Sequence, residues 1–154
     1  MSSLSKLTGQ HLYNVYFGGN WTSKNYESVL AEIDWKKATK KLDGFNTIAD
    51  LVYHTNYFIA GVSEVLKGGK LEIRDKYSFD CPKITSGEAW LALVEKSLED
   101  ARVFSDLIKN LPEEKLETPF VDEKYGNYFS NIHGIIEHCH YHLGQIVILQ
   151  QLFD

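Results

Sequence analysis

Tyr128-Phe129-Ser130-Asn131-Ile132-His133-Gly134-Ile135-Ile136-Glu137-His138-Cys139-His140-Tyr141-His142-Leu143-Gly144-Gln145-Ile146-Val147-Ile148-Leu149-Gln150-Gln151-Leu152 is a long helical pattern carrying four histidines. Ile132, Ile135, Ile136, Cys139, Leu143 and Ile146 recur at helical spacing, with Phe153 continuing the stripe. Such a stripe must be buried against other elements. Each helical residue turns about 100°, so with Cys139 at the stripe centre His142 falls roughly 60° to one side and His138 roughly 100° to the same side. His140 falls on the opposite flank and His133 further out. Only His138 and His142, at i and i+4, can offer nitrogens to one ion, one helical turn apart.

Three more long amphipathic segments precede this one. The first runs from about Ser3 to Phe17, with Leu4, Leu7, His11, Leu12 and Val15 on its apolar face, and stops at Gly18-Gly19. A weaker stretch through Tyr26, Val29, Leu30 and Ile33 follows, then a short helix Trp35 to Leu42 with Asp34 as its N-cap. The second long helix begins near Thr47, where Thr47-x-x-Asp50 forms a capping box with Asp replacing the usual Glu. Its apolar face holds Ile48, Leu51, Val52, Phe58, Ile59, Val62 and Leu66, and Lys67-Gly68-Gly69 ends it. The third opens at Thr85, with Thr85-x-x-Glu88 as its capping box, and presents Trp90, Leu91, Val94, Leu98, Ala101, Phe104 and Ile108 before stopping ahead of Pro112.

No alternating strand pattern competes, so the fold class is all-α, a four-helix bundle in a single domain over residues 1–154. Residues from about 70 to 84 read as an extended connection. It is long enough to recross the bundle and so permits the second and third long helices to run parallel.

Bulk composition narrows the function. Hydrophobic content of 44% and charged content of 24% are ordinary for a globular chain. The net charge of −5 and the dispersed Lys and Arg exclude a phosphate-backbone footprint, so no nucleic-acid partner is expected. There is no secretory signal and no run of membrane-span length, so the expected location is cytoplasmic, with no membrane partner. The two cysteines are read as thiols, Cys139 as a small buried hydrophobe and Cys81 as a loop residue without an activating base.

His54 lies on the shoulder of the second long helix's stripe, flanked by Leu51 and Phe58. A buried imidazole needs a partner for each nitrogen. Two explanations compete: three separate hydrogen-bonded histidines, or one shared ion held by His54, His138 and His142. His11 reads as a core histidine. Asn20 and Trp21, after the double glycine, either line a pocket mouth or fix a turn and plug the bundle end. Gln145 borders the histidines on their own flank and is the candidate to orient one of them. No general base is apparent.

His54 in Ile48-Ala49-Asp50-Leu51-Val52-Tyr53-His54, together with His138-x-x-x-His142-Leu143-Gly144-Gln145-Ile146, resembles the signature of the DinB/YfiT-like superfamily of metal-binding helical bundles. The resemblance covers nearly the whole chain. It implies an up-down-down-up bundle, often a homodimer, with a divalent ion (zinc, nickel or iron) at the three histidines. It also implies a metal-dependent enzyme acting on a small molecule. Known activities in the superfamily include thiol transfer, with a low-molecular-weight thiol as cosubstrate, and maleylpyruvate isomerisation. On the residues themselves, an open three-histidine ion activates thiol for transfer or water for hydrolysis. The alternative is a non-catalytic metal-binding or ligand-sensing bundle. Many relatives carry Arg where this chain has Leu143, so any role of that Arg, such as holding an anionic substrate, does not transfer.

Overall fold

The computed structural model describes residues 2–154. Six α-helices follow one another: α1 (Leu4–Phe17), α2 (Tyr26–Ala31), α3 (Trp35–Ala38), α4 (Ile48–Leu66), α5 (Gly87–Lys109) and α6 (Tyr128–Phe153). Short 3-10 turns lie at Asp75–Tyr77, Glu113–Glu117 and Glu123–Tyr125. Among the described residues there is no strand, only an isolated bridge between Pro119 and Asn127. Among the described residues no helix is long and apolar enough to cross a membrane.

Local chemistry sets the helix ends. Thr47 accepts from the Asp50 amide while the Asp50 carboxylate accepts from the Thr47 amide, the reciprocal capping box expected there. α5 starts one residue later than expected: Ser86, not Thr85, is the cap, and its hydroxyl accepts from the Ala89 amide. The short helix after Asp34 ends at Ala38 rather than Leu42. The Thr39 hydroxyl there folds back onto the Trp35 carbonyl and competes with helix continuation.

The four long helices bury one common core, from Leu12 and Val15 on α1 through Val52 and Ile59 on α4 and Phe104 and Ile108 on α5 to Ile136 and Ile146 on α6. Two faces differ from the sequence reading. On α1 the inward residues are Ser5, Thr8, Gly9, Leu12, Val15 and Tyr16, whereas Leu4, Leu7 and His11 are exposed. The cause is close packing of α1 on α5: the Ser105 hydroxyl donates to the Gly9 carbonyl at 2.9 Å, and a Cβ at Gly9 would lie 2.7 Å from the Ser105 carbonyl oxygen. Small residues permit that approach and large ones are excluded from it. On α5, Leu91 likewise points outward.

The connection after α4 forms a strap along that helix. The Gly69 amide bonds to the Glu64 carbonyl, and the Tyr57 hydroxyl bonds to both backbone groups of Arg74. His54 Nδ1 meets the Ser78 carbonyl, and the Cys81 thiol reaches the Ala49 carbonyl. Successive strap residues thus contact successively earlier turns of α4.

Candidate metal centre

The registration of α6 is fixed by two tyrosines before any histidine is considered. Tyr16 and Tyr26 are fully buried and stack with ring centroids 4.3 Å apart. The Tyr26 hydroxyl donates to the Cys139 carbonyl at 2.7 Å, and the Tyr16 hydroxyl lies 3.6 Å from the Cys139 sulfur. Cys139 is the centre of the buried stripe, so its neighbours on the flank, His138 and His142, are aimed at α4. Burial pushes the Cys139 thiol up to about 12, which keeps it protonated and inert.

His54, His138 and His142 converge. Their candidate ligand nitrogens all lie within 4.8 Å of one another. His138 Nε2 is 2.9 Å from His54 Nε2 and 3.1 Å from His142 Nε2. His54 and His142 are buried, at 8% and 7% exposure. The cluster contains no carboxylate and no thiol.

The outer nitrogens determine what the inner ones present. His142 Nδ1 lies 2.6 Å from Gln145 Oε1, and His54 Nδ1 lies 3.3 Å from the Ser78 carbonyl. Both partners are acceptors, so both Nδ1 atoms carry the proton and both Nε2 atoms turn a lone pair inward. Two lone pairs therefore face the same His138 Nε2. A single N–H on that atom can satisfy one of them, whereas a cation among the three satisfies all. His138 Nδ1 is buried without a hydrogen-bond partner, so its tautomer is not fixed from outside. Nitrogens on one tetrahedral ion at about 2.05 Å would sit about 3.3 Å apart, slightly more than the two close pairs and within the 4.8 Å that spans all three. The residues fit a divalent ion of the nitrogen-preferring kind.

All three histidines are biased toward the neutral, ligating form. Burial and the neighbouring His142 and His54 rings push His138 down to about 4. Burial also lowers His54, with His142 adding to the effect and the Ser78 carbonyl opposing it. Burial lowers His142, opposed by Gln145.

An aromatic collar surrounds the cluster. Phe79 from the strap stacks on His54, with centroids 3.9 Å apart and planes within 8°. Phe58, one turn beyond His54, meets both His54 and His138 edge-on at 5.1 Å. Tyr141 packs edge-on against His142, its hydroxyl 3.5 Å from the Gln145 amide. Phe58 could have been anticipated from its i+4 spacing. Ser78 and Phe79 could not, because the strap has no period to read.

The remaining sequence candidates fall elsewhere. His140 faces α1, its ring centroid 6.2 Å from that of His11. His11 is exposed, contrary to a core role. His133 Nε2 lies 3.7 Å from the Glu137 carboxylate on the surface. The Asn20 amide donates to the Asn14 and Lys24 carbonyls and its oxygen accepts from the Thr22 amide, so Asn20 fixes the turn. Trp21 is fully exposed and plugs nothing. Both line a shallow hollow of about 500 Å³ with His11 and His140, away from the three-histidine cluster.

No family model, no curated protein and no solved structure matches the chain.

Proposed function

We propose that His54, His138 and His142 hold one divalent metal ion, and that the chain is a metal-dependent protein of the DinB/YfiT-like kind acting on a small molecule. The observation that carries this reading is the convergence of three Nε2 atoms while the outer nitrogens of His54 and His142 face acceptors. Ser78 and Gln145 take the outer protons of two imidazoles, and the freed lone pairs meet at one point. When bound, such an ion supplies Lewis-acid chemistry, lowering the pKa of water or thiol that reaches it. With three neutral ligands and no carboxylate, its full positive charge remains available.

The chain's own residues would divide the remaining work. Gln145 and the Ser78 carbonyl hold two rings in their ligating orientation, as outer partners of metal-bound histidines generally do. Phe58 and Phe79 exclude water from two sides. A low-molecular-weight thiol for transfer, or water for hydrolysis, is the small molecule proposed. The up-down-down-up order also belongs to this reading: the strap's return along α4 supports α4 and α5 running parallel. A cytoplasmic homodimer completes it.

A second reading has its own support. His54 and His142 are more than nine-tenths buried and come from different helices. A metal joining α4 to α6 there would add folding energy without doing chemistry.

The test begins with metal content of the purified chain, where zinc, nickel or iron near one equivalent is expected. Cobalt-loaded protein is then titrated with a small thiol. A sulfur-to-cobalt charge-transfer band supports the thiol-transfer reading. Its absence for every thiol leaves hydrolysis or a structural ion, and tight metal binding by His142→Ala would remove the site itself.

A further inference from the structure

His140 stands between two cluster ligands in the run His138-Cys139-His140-Tyr141-His142, yet it belongs to the opposite flank of the helix. Successive residues turn about 100°, and the two tyrosines that bond to Cys139 fix the register, so His138 faces α4 and His140 faces α1. Opposite it lies His11. The small residues of α1 pack on α5, which leaves His11 exposed on another side of that helix. The two rings therefore come from different helices, with centroids 6.2 Å apart and planes at 55°. Both line the open hollow of about 500 Å³.

Four of the six histidines are committed elsewhere: His54 to Ser78, His138 to the cluster, His142 to Gln145, and His133 beside Glu137. Among the described residues His11 and His140 have no hydrogen-bond or ion-pair partner, only each other's rings. Their nitrogens are free to take another ligand. The rest of the hollow is Leu7, Gln10, Asn14 and the turn from Gly19 to Thr22, so no charged side chain lines it. No lysine or arginine is there to repel a cation, and the net charge of −5 favours one near the surface.

The spacing selects the ion. An ion about 2.05 Å from one nitrogen of each ring stands about 3.2 Å from each centroid, which puts the centroids about 5.2 Å apart at a tetrahedral angle and about 6.4 Å apart in trans. The cluster rings are 4.5–4.8 Å apart, on the narrow side. The 6.2 Å between His11 and His140 is close to the trans limit. Tetragonal copper(II) and nickel(II) accept trans imidazoles, whereas four-coordinate zinc is tetrahedral. From two uncommitted imidazoles on neighbouring helices at this spacing we infer that His11 and His140 form a second metal site, for copper(II) or nickel(II). Two protein ligands hold the ion more weakly than three, and the open hollow leaves its other positions to water. This ion therefore exchanges more freely than one at the cluster. The two sites share α6 but no ligand, and neither depends on the other.

The probe is copper(II), added to the metal-free full chain above the ordinary histidine pKa of about 6.5 and followed by calorimetry and tryptophan emission. Two binding phases are expected. The weaker one should quench Trp21, which lines the hollow and is fully exposed, and this quenching should be missing in Trp21→Phe. His11→Ala and His140→Ala should each lose the weaker phase and keep the tighter one, while His133→Ala, elsewhere on α6, should keep both. If the cluster holds no metal, the tighter phase alone is missing, so the two sites fail separately. A quenching phase that survives His11→Ala at unchanged affinity would overturn the inference, as would its loss in folded His133→Ala or the absence of any quenching of Trp21. If His140→Ala does not fold, His11→Ala decides, because His11 is exposed.

Discussion

Ile73 lies directly against Gly61. A Cβ built at Gly61 would meet Ile73 Cγ2 at 2.2 Å and Cδ1 at 2.9 Å. The first of these branches from Ile73 Cβ and cannot swing away freely. The glycine therefore lets the strap lie flat on α4. The same strap carries Ser78 and Phe79 to His54, so one missing side chain supports the histidine cluster as well as the fold.

Gly61→Ala should lift the strap and destabilise the fold by about 1–2 kcal/mol, the usual cost of overpacking. Metal affinity should fall with it, as His54 loses its outer partner. Ile73→Ala in the same chain should recover part of both losses, a coupling readable in a double-mutant cycle. Denaturant midpoints and metal competition assays on the four proteins check this. Additive effects of the two substitutions would contradict the contact.

Metal retention should discriminate sharply among the histidines of α4 and α6. His54→Ala, His138→Ala and His142→Ala should each lose tight binding, while His140→Ala, on the opposite flank beside His11, should keep it. Gln145→Leu removes the acceptor at 2.6 Å from His142 Nδ1 and should weaken binding by about 10–100-fold. Competition against a chromophoric chelator measures all five.

Acid should weaken the metal-free fold over a defined interval. All three clustered histidines have native pKa values below the ordinary 6.5, and His138 is held at about 4. Their contribution is complete above about 6.5, where both native and unfolded chains are neutral. As pH falls, the unfolded chain takes up protons that the native cluster refuses, so stability declines toward about pH 4. Bound metal should steepen the decline, because protons displace it. Chemical denaturation across this range should show a smaller loss in a chain with all three histidines replaced by glutamine.

Gly9→Ala tests the α1–α5 seam. The added methyl would meet Lys109 Cγ at 2.6 Å and the Ser105 carbonyl oxygen at 2.7 Å. The second of these is backbone and cannot yield without moving a helix. A loss of about 1–3 kcal/mol is expected, or several degrees in Tm. Calorimetric melting checks it, and an unchanged Tm would mean that the helices are less closely apposed.

The sequence by itself determined the helical class, the buried stripes of α4 and α6 and most of that of α5, the Thr47–Asp50 cap and the sharing of one flank by His138 and His142. These are consequences of the 3.6-residue period and of side-chain reach within a turn, both written locally in the chain. It also marked Gln145 by its position on that flank. The meeting of His54 with the α6 pair was suggested by its shoulder position and by the family resemblance, and tertiary packing placed it there. The orientation of α1 was decided only in three dimensions. Its Leu4-Leu7-His11 edge reads as apolar, but close approach to α5 rewards the small surface of Ser5, Thr8 and Gly9 over the larger surface of the leucines. Ser78 and Phe79 stayed invisible because an extended strap has no period, and their role exists only through contacts with a helix some twenty residues earlier in the chain. Hydrophobic pattern specifies which residues leave water. Which surfaces then meet, and which nitrogens are left facing one another, depends on shape and hydrogen-bond partners supplied from distant parts of the chain.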